Sequence, residues 1–353
     1  MSKIINNTIK TVFNCNNQFK KFASVKSICI KEAKLSETPI LTIAIPTYKR
    51  PDTLAFAIDS VINQVESSDV EVLVVDNSPE LNDSTHKKML QYSDPRIAYY
   101  KNSENIGMTG NWNRLFELAQ GSWVVMLHDD DALLPIFLSN IKRLLKIYGN
   151  KSDAFYFGTV NDYDNVKYKE KFVVRKVNHR DLYYQYNLAT GGMMMRRNTV
   201  LELGGFDNSF YPSADYHFAF KLLFYARAYG VWKCPMVFYR IGINETYKAN
   251  TIKGFSEKNA VINAAAFSNR PLLFRWLMKH YVKYQKWYCP HNSLSMVSEV
   301  TPDLLDYIKE TGKDLSLFDR VCFVFFNKWL RFPRKIQNIF SRECVNVDLT
   351  MIC

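Results

Sequence analysis

Three consecutive aspartates, Asp129–Asp131, directly follow a strongly apolar segment at residues 123–128 that ends in a histidine. Adjacent carboxylates repel one another unless a counter-charge lies among them. A hard divalent cation such as Mn²⁺ or Mg²⁺ supplies that charge and also binds phosphates. A run of three therefore favours a cation site, the alternative being that Asp130 or Asp131 caps the helix after Pro135. His128 is a ligand, a base or a hydrogen-bonded neighbour of the strand end.

Two other apolar segments also end in polar residues. Residues 40–45 lead into Pro46-Thr47-Tyr48-Lys49-Arg50, and residues 70–75 lead into Asp76-Asn77-Ser78. Short β-branched segments that alternate with helices predict an α/β fold with a mostly parallel sheet, flanked by helices on both faces. Ligands bind at the carboxyl edge of such sheets. We therefore predict that the three polar clusters meet at one edge.

Hydrophobic periodicity and turn residues predict the elements that position these clusters. Strands are predicted at residues 40–45, 70–75, 96–100, 123–127, 154–159 and 231–239. Helices are predicted at residues 51–65, 111–119, 136–147 and 215–228, with a helical region beyond about 250.

The composition limits the class of protein. The chain has 353 residues, 47% of them hydrophobic, and 46 Lys plus Arg against 34 Asp plus Glu, giving a formal charge of +12. This excludes a disordered or collagen-like chain and indicates an anionic partner: a nucleotide, a phospholipid surface or a nucleic acid.

Seven dispersed cysteines without a CxxC pair predict free thiols in a reducing cytosol. The absence of a signal peptide and of an apolar segment of spanning length predicts a soluble or peripheral protein.

Five motifs, in order along residues 41 to about 240, resemble a family 2 glycosyltransferase of the GT-A fold. They are Ile43–Pro51, Val74–Ser78, Asn105-Ile106-Gly107 with Gly110-Asn111, Asp129–Asp131, and Gly204-Gly205-Phe206-Asp207 followed by Asp215. Outside these motifs, the Lys- and Asn-rich composition predicts a basic leader at 1–38, and the helical pattern predicts a helical C-terminal region at 246–353. The resemblance implies a GT-A domain over residues 39–245. It also implies inverting, metal-dependent transfer from a nucleotide-sugar donor to a saccharide hydroxyl, with Mn²⁺ or Mg²⁺ as cofactor.

The same resemblance implies the donor site. The residues that would hold the nucleotide base, ribose and diphosphate are Pro46, Thr47, Tyr48, Arg50, Asp76, Asn105, Gly107 and Asp129, with Arg240 near the diphosphate. Asp76 would accept a hydrogen bond from the base. Asp130 would be the main metal ligand, assisted by Asp131, while His128 stands where the family has the first acidic residue of its DXD motif.

Asp215 matches the position of the catalytic base that deprotonates the acceptor hydroxyl. Relatives usually have an acidic residue immediately before it, where this chain has Ala214. The alternative is that Asp215 only caps the following helix. Asp207 is interpreted as structural, closing the glycine-rich turn.

The segment 317–332 mixes aromatic residues with Lys and Arg. Such a helix either lies in a membrane interface or packs as an ordinary amphipathic helix on the catalytic domain. The membrane interpretation implies a lipid-linked acceptor, such as a polyprenyl-diphosphate-linked oligosaccharide, and a cytoplasmic enzyme that is peripheral on the inner membrane. The resemblance adds a role in surface polysaccharide (O-antigen type) biosynthesis.

Three other functions are weighed against this one. No nucleic-acid-binding motif is present. A nucleotidyltransferase would need a Gly-rich phosphate loop after the first strand, which is missing. The alternative from another class is a non-catalytic carbohydrate- or membrane-binding scaffold on the same fold.

Overall fold

The computed structural model describes residues 7–64, 69–183, 191–241, 247–329 and 343–346. In these residues the strands are β1 (Ser27–Lys31), β2 (Leu41–Thr47), β3 (Val70–Asp76), β4 (Ile97–Asn102), β5 (Trp123–Met126), β6 (Ala132–Leu133), β7 (Ala154–Phe157), β8 (Thr159–Val160), β9 (Lys171–Val177), β10 (Met194–Arg196), β11 (Ala228–Trp232), β12 (Val237–Phe238) and β13 (Glu343–Asn346). The helices are α1 (Asn7–Val12), α2 (Pro51–Ile62), α3 (Ser84–Met89), α4 (Gly107–Leu118), α5 (Phe137–Tyr148), α6 (Arg197–Glu202), α7 (Ala214–Tyr225), α8 (Ala249–Ala266), α9 (Leu272–Ser293), α10 (Pro302–Lys313) and α11 (Leu317–Trp329). Three parts of the sequence predictions lie outside the described residues. They are Val65 at the end of the predicted first helix, residues 330–332 of the predicted C-terminal helix, and the first six residues of the predicted leader.

Ten of the described strands form one sheet in the order β1-β4-β3-β2-β5-β10-β7-β11-β9-β13. β2 pairs in parallel with both β3 and β5, and β3 pairs in parallel with β4. This confirms the predicted parallel arrangement around the polar clusters. The sheet as a whole is mixed, because β1, β10, β9 and β13 join it antiparallel. A second sheet has the order β6-β12-β8.

Both faces of the large sheet are covered, as the uninterrupted apolar strands predict. Along β2, Ile43 and Ile45 belong to one hydrophobic cluster, whereas Ala44 belongs to the other. α2 and α5 pack on the first face through residues such as Leu54 and Ile141, which are fully buried or nearly so. α4, α7 and α8 cover the second face. Together the helices hold the carboxyl ends of the central strands in fixed register.

Three features of the fold differ from the sequence prediction. The strand predicted for residues 231–239 is split into β11 and β12, because Lys233 takes a positive φ of 72° and Pro235 follows it. β13 joins the sheet edge beside β9, although the chain beyond about 250 was predicted to be helical. Residues 27–31, placed in the leader by the sequence, form β1 on the opposite edge, paired with β4.

The N-terminal segment belongs to the same core as the α/β domain. Ile9 and Phe13 are fully buried against α7 and α8. Gly204 and Gly205 have positive φ values of 80° and 74°. A Cβ on Gly204 would lie 2.3 Å from the carbonyl oxygen of Asn16, so only glycine permits this close approach of the two segments.

The C-terminal helices form smaller clusters beside this core. α11 packs on α9 through Cys322, Phe326, Met278 and Tyr281. Its inner face therefore contacts another C-terminal helix, whereas the second sequence alternative placed it on the catalytic domain. None of the helices in the described part of the chain is both long and apolar enough to span a bilayer.

His217 provides a test of how the N-terminal segment is anchored. Its Nε2–H donates a 2.7 Å hydrogen bond to the Val12 carbonyl, and its ring stacks on Phe210 at 3.8 Å between centroids and on Phe13 at 5.4 Å. Burial lowers the pKa of His217 to about 4. The unfolded chain therefore binds more protons between pH 4 and 6.5, and the folded state should lose up to about 3 kcal/mol as the pH falls through that window.

Thermal unfolding between pH 7 and pH 4 measures this loss. His217→Phe keeps an aromatic ring between Phe210 and Phe13 but cannot take up a proton, so its unfolding temperature should fall less steeply with acidification. Equal slopes for the two proteins would assign the acid sensitivity to other groups.

Candidate active site

Three strand ends meet at the carboxyl edge of the sheet, which confirms the predicted convergence. Thr47, the last residue of β2, donates a 2.8 Å hydrogen bond from Oγ1 to Asp129 Oδ2, just beyond β5. In the parallel pairing of β2 with β3, Thr47 lies opposite Asp76, the last residue of β3. Arg50 then reaches across from the start of α2, 3.0 Å from Asp130 and 3.4 Å from Asp129. The first and third polar clusters are thus joined directly.

His128, Asp130 and Asp131 form a group in which one potential ligand atom of each lies within 4.8 Å of the others. Asp131 is fully buried, yet its Oδ2 has no hydrogen-bond partner among the described residues. The Nδ1 of His128 lies 3.8 Å from that oxygen. A Cβ on Gly191 would lie 3.0 Å from the same oxygen, so glycine leaves this space open. An unpartnered carboxylate oxygen beside an imidazole and a second carboxylate fits a divalent cation.

The electrostatics of this edge reflect burial. Burial raises the pKa of Asp129 to about 6, although Arg50 and Thr47 oppose the shift. Burial likewise raises the pKa of Asp131 to about 6, opposed chiefly by His128. Two buried carboxylates next to a third favour binding of a positive ligand, since that ligand stabilises their ionised forms.

Arg240 is held in place from two sides. Its backbone N–H donates a 3.0 Å hydrogen bond to Asp131 Oδ1, and its Nε donates a 2.9 Å hydrogen bond to the Asp130 carbonyl. The guanidinium also lies over the rings of Phe56 and Phe238, at 4.9 and 5.3 Å. Arg240 therefore lies beside the aspartates, close to the position where the resemblance places a diphosphate contact.

Asp76 is fully buried, and its carboxylate is already occupied. Lys101 Nζ and Tyr99 Oη donate to Oδ2 at 2.6 and 2.9 Å, and the Ser78 N–H donates to Oδ1 at 2.9 Å. The expected direct contact between Asp76 and a nucleotide base would require a local movement that exposes the buried carboxylate. In this structure Asp76 instead fixes the ends of β3 and β4 and the turn that follows β3.

Asn105 and Gly107 lie in a network of asparagine side chains beside that turn. Asn77 Nδ2 donates to Asn105 Oδ1 at 2.7 Å, and Asn105 Oδ1 also accepts from the Gly107 N–H at 2.9 Å. Gly107 has a positive φ of 72° at the first residue of α4. Asn102 links the network to α4 by donating to Asn111 at 2.9 Å. The network shapes the wall predicted to face the ribose, whereas Tyr48 and its neighbour Lys49 are exposed at the rim.

Asp215 lies in the first turn of α7, where its Oδ1 accepts from the Tyr216 N–H at 2.7 Å. Burial raises the pKa of this carboxyl, while the Tyr216 N–H and the charge of His128 oppose the shift. Tyr216 Oη donates to Asn263 Oδ1 at 2.9 Å, and Asn263 Nδ2 donates to Gln285 Oε1 at 2.9 Å. These buried and partly buried contacts tie α7 to α8 and α9.

The helix-cap alternatives do not account for the aspartates. α5 begins after Ile136 without a side-chain cap, so neither Asp130 nor Asp131 caps it. α7 follows Ser213, also without a side-chain cap, although Asp215 does accept a backbone N–H within the first turn. Asp207 accepts from the N–H and Oγ of Ser209 at 2.9 and 2.8 Å, in agreement with its structural interpretation.

The sequence did not single out three residues of this region. Trp112 stacks on His128 with 5.6 Å between centroids and an interplanar angle of 11°, which orients the imidazole. Lys101 of the neighbouring strand β4 forms an ion pair with Asp76, and Tyr99 of the same strand donates a hydrogen bond to it. The one available signal was the Lys at the end of an otherwise apolar strand, because a buried cation requires a partner.

Comparison with known proteins identifies this arrangement. A family model for glycosyl transferase family 2 matches residues 42–204. An uncharacterized glycosyltransferase of Methanocaldococcus jannaschii is 24% identical over 219 residues, which cover 60% of this chain and 74% of the relative. The GalNAc(5)-diNAcBac-PP-undecaprenol beta-1,3-glucosyltransferase of Campylobacter jejuni is 34% identical over 121 residues. That match covers 34% of this chain and 38% of the relative, so it spans well under half of that protein.

The fold has a solved counterpart. The crystal structure of S. aureus TarS 1-349 in complex with UDP-GlcNAc aligns with a TM-score of 0.57 and 15% identity. The alignment covers 84% of this chain and 88% of that chain. At this identity the likeness establishes the fold alone. Residues 42–204, with their parallel strands and acidic edge, thus match the family model for glycosyl transferase family 2, and the chain has the GT-A fold.

Proposed function

We propose that this protein transfers a sugar from a nucleotide-sugar donor to a hydroxyl of a saccharide acceptor, with inversion at the anomeric carbon and with Mn²⁺ or Mg²⁺ as cofactor. The observation that carries the proposal is the group formed by His128, Asp130 and Asp131 beside Arg50 and Arg240. Potential cation ligands next to two guanidinium groups form an environment suited to a diphosphate.

The donor is proposed to lie along the ends of β2 and β3. Tyr48 is exposed at the rim, where its ring can stack on a base, and Pro46 and Thr47 form the floor beneath it. Asn105 and Gly107 would line the ribose side. Asp76 would act through the turn that it holds, since its carboxylate already accepts from Lys101 and Ser78.

Asp130 and Asp131, with His128, are proposed to hold the cation. The cation, when bound, would stabilise the negative charge of the departing diphosphate. Arg50 neutralises Asp130 at 3.0 Å in the present arrangement and would become a donor to a phosphate oxygen. Asp129, fixed by Thr47, would keep the loop after β2 in position and contact the ribose or the cation.

Asp215 is proposed to be the catalytic base. As the acceptor oxygen forms its bond to the anomeric carbon, the bond to the diphosphate oxygen breaks on the opposite face, and the hydroxyl proton passes to the Asp215 carboxylate. A raised pKa makes this carboxylate a stronger base than an exposed aspartate. Asp215 would act alone, because residue 214 is alanine.

The acceptor is proposed to be a lipid-linked saccharide used in surface polysaccharide assembly at the cytoplasmic face of the inner membrane. The support is the Campylobacter jejuni relative, whose name specifies an undecaprenol-linked acceptor. A non-catalytic carbohydrate- or membrane-binding scaffold remains the alternative function, and it predicts no turnover of any donor.

His128 predicts a cation preference that a purely acidic motif would not have. Imidazole ligands favour Mn²⁺ over Mg²⁺, whereas carboxylates suit both ions. His128→Asp restores an acidic residue and should reduce the ratio of Mn²⁺ affinity to Mg²⁺ affinity, because it replaces the nitrogen ligand of the proposed set by a carboxylate. Calorimetric titration of each ion into the protein measures this ratio without an activity assay; an unchanged ratio would remove His128 from the ligand set.

Thermal shift with a panel of nucleotide sugars, with and without Mn²⁺, tests donor binding. A specific donor at about 100 times its Kd should stabilise the folded state by about 2.7 kcal/mol. We expect this shift only for one nucleotide class and only with the cation. Absence of a shift for every donor would contradict the proposed donor site.

A further inference from the structure

The C-terminal helices α9 and α11 expose large apolar side chains on a continuous surface. This surface, the α9–α11 face, comprises Leu272 (75% exposed), Leu273 (68%), Trp276 (49%), Phe318 (41%) and Val321 (52%). Trp276 and Phe318 are in contact, with 5.4 Å between ring centroids, so the two helices contribute to one surface. Leu272 and Trp276 are four residues apart on α9, and Phe318 and Val321 are three apart on α11, which places each pair on one side of its helix. Apolar groups of this size at a protein surface usually mark an interaction site.

The charges around this face are positive. α9 contains four Lys and Arg residues and no Asp or Glu. Arg275 and Lys279 flank Trp276 along the chain and are exposed, and Arg320, between Phe318 and Val321, is exposed as well. No carboxylate among the described residues forms an ion pair with any of these three cations.

The one acidic residue of α11 pairs with Lys283 of α9, 3.6 Å away, so it offsets one of the four α9 cations but none of the three named above. Asp319 is buried, and its carboxylate lies 2.7 Å from His280 Nδ1 and accepts from the Ser316 N–H at 2.7 Å. It is therefore directed inward against α9. The α9–α11 face consequently presents apolar side chains with cations beside them and no acidic side chain from either helix.

We propose that the α9–α11 face docks on an anionic phospholipid bilayer. Trp276 and Phe318 would lie at headgroup depth, and Arg275, Lys279 and Arg320 would contact lipid phosphates. A second copy of this chain fits less well, because a two-fold symmetric contact would bring the same cations against one another. This inference goes beyond the proposed transferase function and does not depend on it, since it concerns a surface distinct from the aspartate cluster.

Vesicle co-sedimentation of the full chain tests the proposal. We expect binding to vesicles of phosphatidylcholine with phosphatidylglycerol and little binding to phosphatidylcholine alone. Trp276→Ala with Phe318→Ala should lower the partition coefficient about tenfold or more. Leu81→Ala with Leu90→Ala is the matched control, because it removes two exposed apolar side chains from the α/β domain and should leave binding unchanged.

Charge reversal tests the electrostatic part. Lys279→Glu with Arg320→Glu changes only exposed residues and should abolish the preference for anionic vesicles; this variant decides the question if the alanine pair fails to fold. Two results would overturn the proposal. One is a wild-type protein that does not bind anionic vesicles, and the other is a charge-reversed variant that binds them as well as the wild type. If the wild type instead forms a concentration-dependent dimer that is lost in either variant, the α9–α11 face binds a second copy of the chain and not a bilayer.

Discussion

Asp215→Asn should lower kcat for sugar transfer by about 10²- to 10⁴-fold, the usual contribution of a general base. Asparagine keeps the size of the side chain and can still accept from the Tyr216 N–H, which now lies 2.7 Å from Asp215 Oδ1. Only the capacity to take the acceptor proton is lost. The affinity for the donor should therefore stay close to that of the wild type, and KM for the donor should change little. Steady-state kinetics with separate donor titrations measure both quantities.

Asp207→Asn is the matched control for this variant. Asp207 is also an aspartate near α7, but its carboxylate bonds to Ser209 within a turn. It should therefore retain transfer. Near-normal turnover in Asp215→Asn, or a loss of the same size in Asp207→Asn, would move the base away from Asp215.

Asp130→Ala should abolish cation-dependent binding of the nucleotide sugar. The remaining His128 and Asp131 supply only two protein ligands, one of them a carboxylate, so the protein holds the ion much more weakly before and during nucleotide binding. The fold should survive, because Arg50 can still pair with Asp129, 3.4 Å away, and one of three adjacent carboxylates has been removed. Calorimetric titration of nucleotide with and without Mn²⁺ measures the loss.

Asp303→Ala controls for the removal of one negative charge. Asp303 is exposed on α10, 3.7 Å from Lys253, and a surface pair of this kind contributes little to stability. It should leave the Mn²⁺ effect intact. If Asp130→Ala binds nucleotide with the same Mn²⁺ dependence as the wild type, the cation site lies elsewhere.

The sequence predicted the part of the site that is encoded locally. β2, β3 and β5 are short apolar segments that end in polar residues, and parallel pairing of such strands places those residues at one edge. Thr47, Arg50 and Asp129 therefore meet as predicted. The GT-A fold followed from the order of motifs, the first four of which begin in a strand or within a few residues of a strand end, whereas the fifth lies between α6 and the first turn of α7.

What the sequence did not predict depends on contacts between distant segments. Asp76 and Lys101 are 25 residues apart and become neighbours only through the register of β3 and β4. β1 and β13 join the sheet at its two edges, where strands of five and four residues carry little hydrophobic signal. No sequence pattern shows whether His128 is a metal ligand or a hydrogen-bonded neighbour of the strand end. Its position between Trp112 and Asp131 depends on the tertiary structure.

The central claim is that this acidic sheet edge catalyses turnover of a nucleotide sugar. The most direct test is release of nucleoside diphosphate by the full-length wild-type chain, measured across a panel of nucleotide sugars with Mn²⁺, with and without EDTA and a saccharide acceptor. We predict release from one donor class that the acceptor accelerates and EDTA stops. Absence of release from every donor, under conditions in which the folded protein is stable, would contradict a transferase and favour the non-catalytic scaffold.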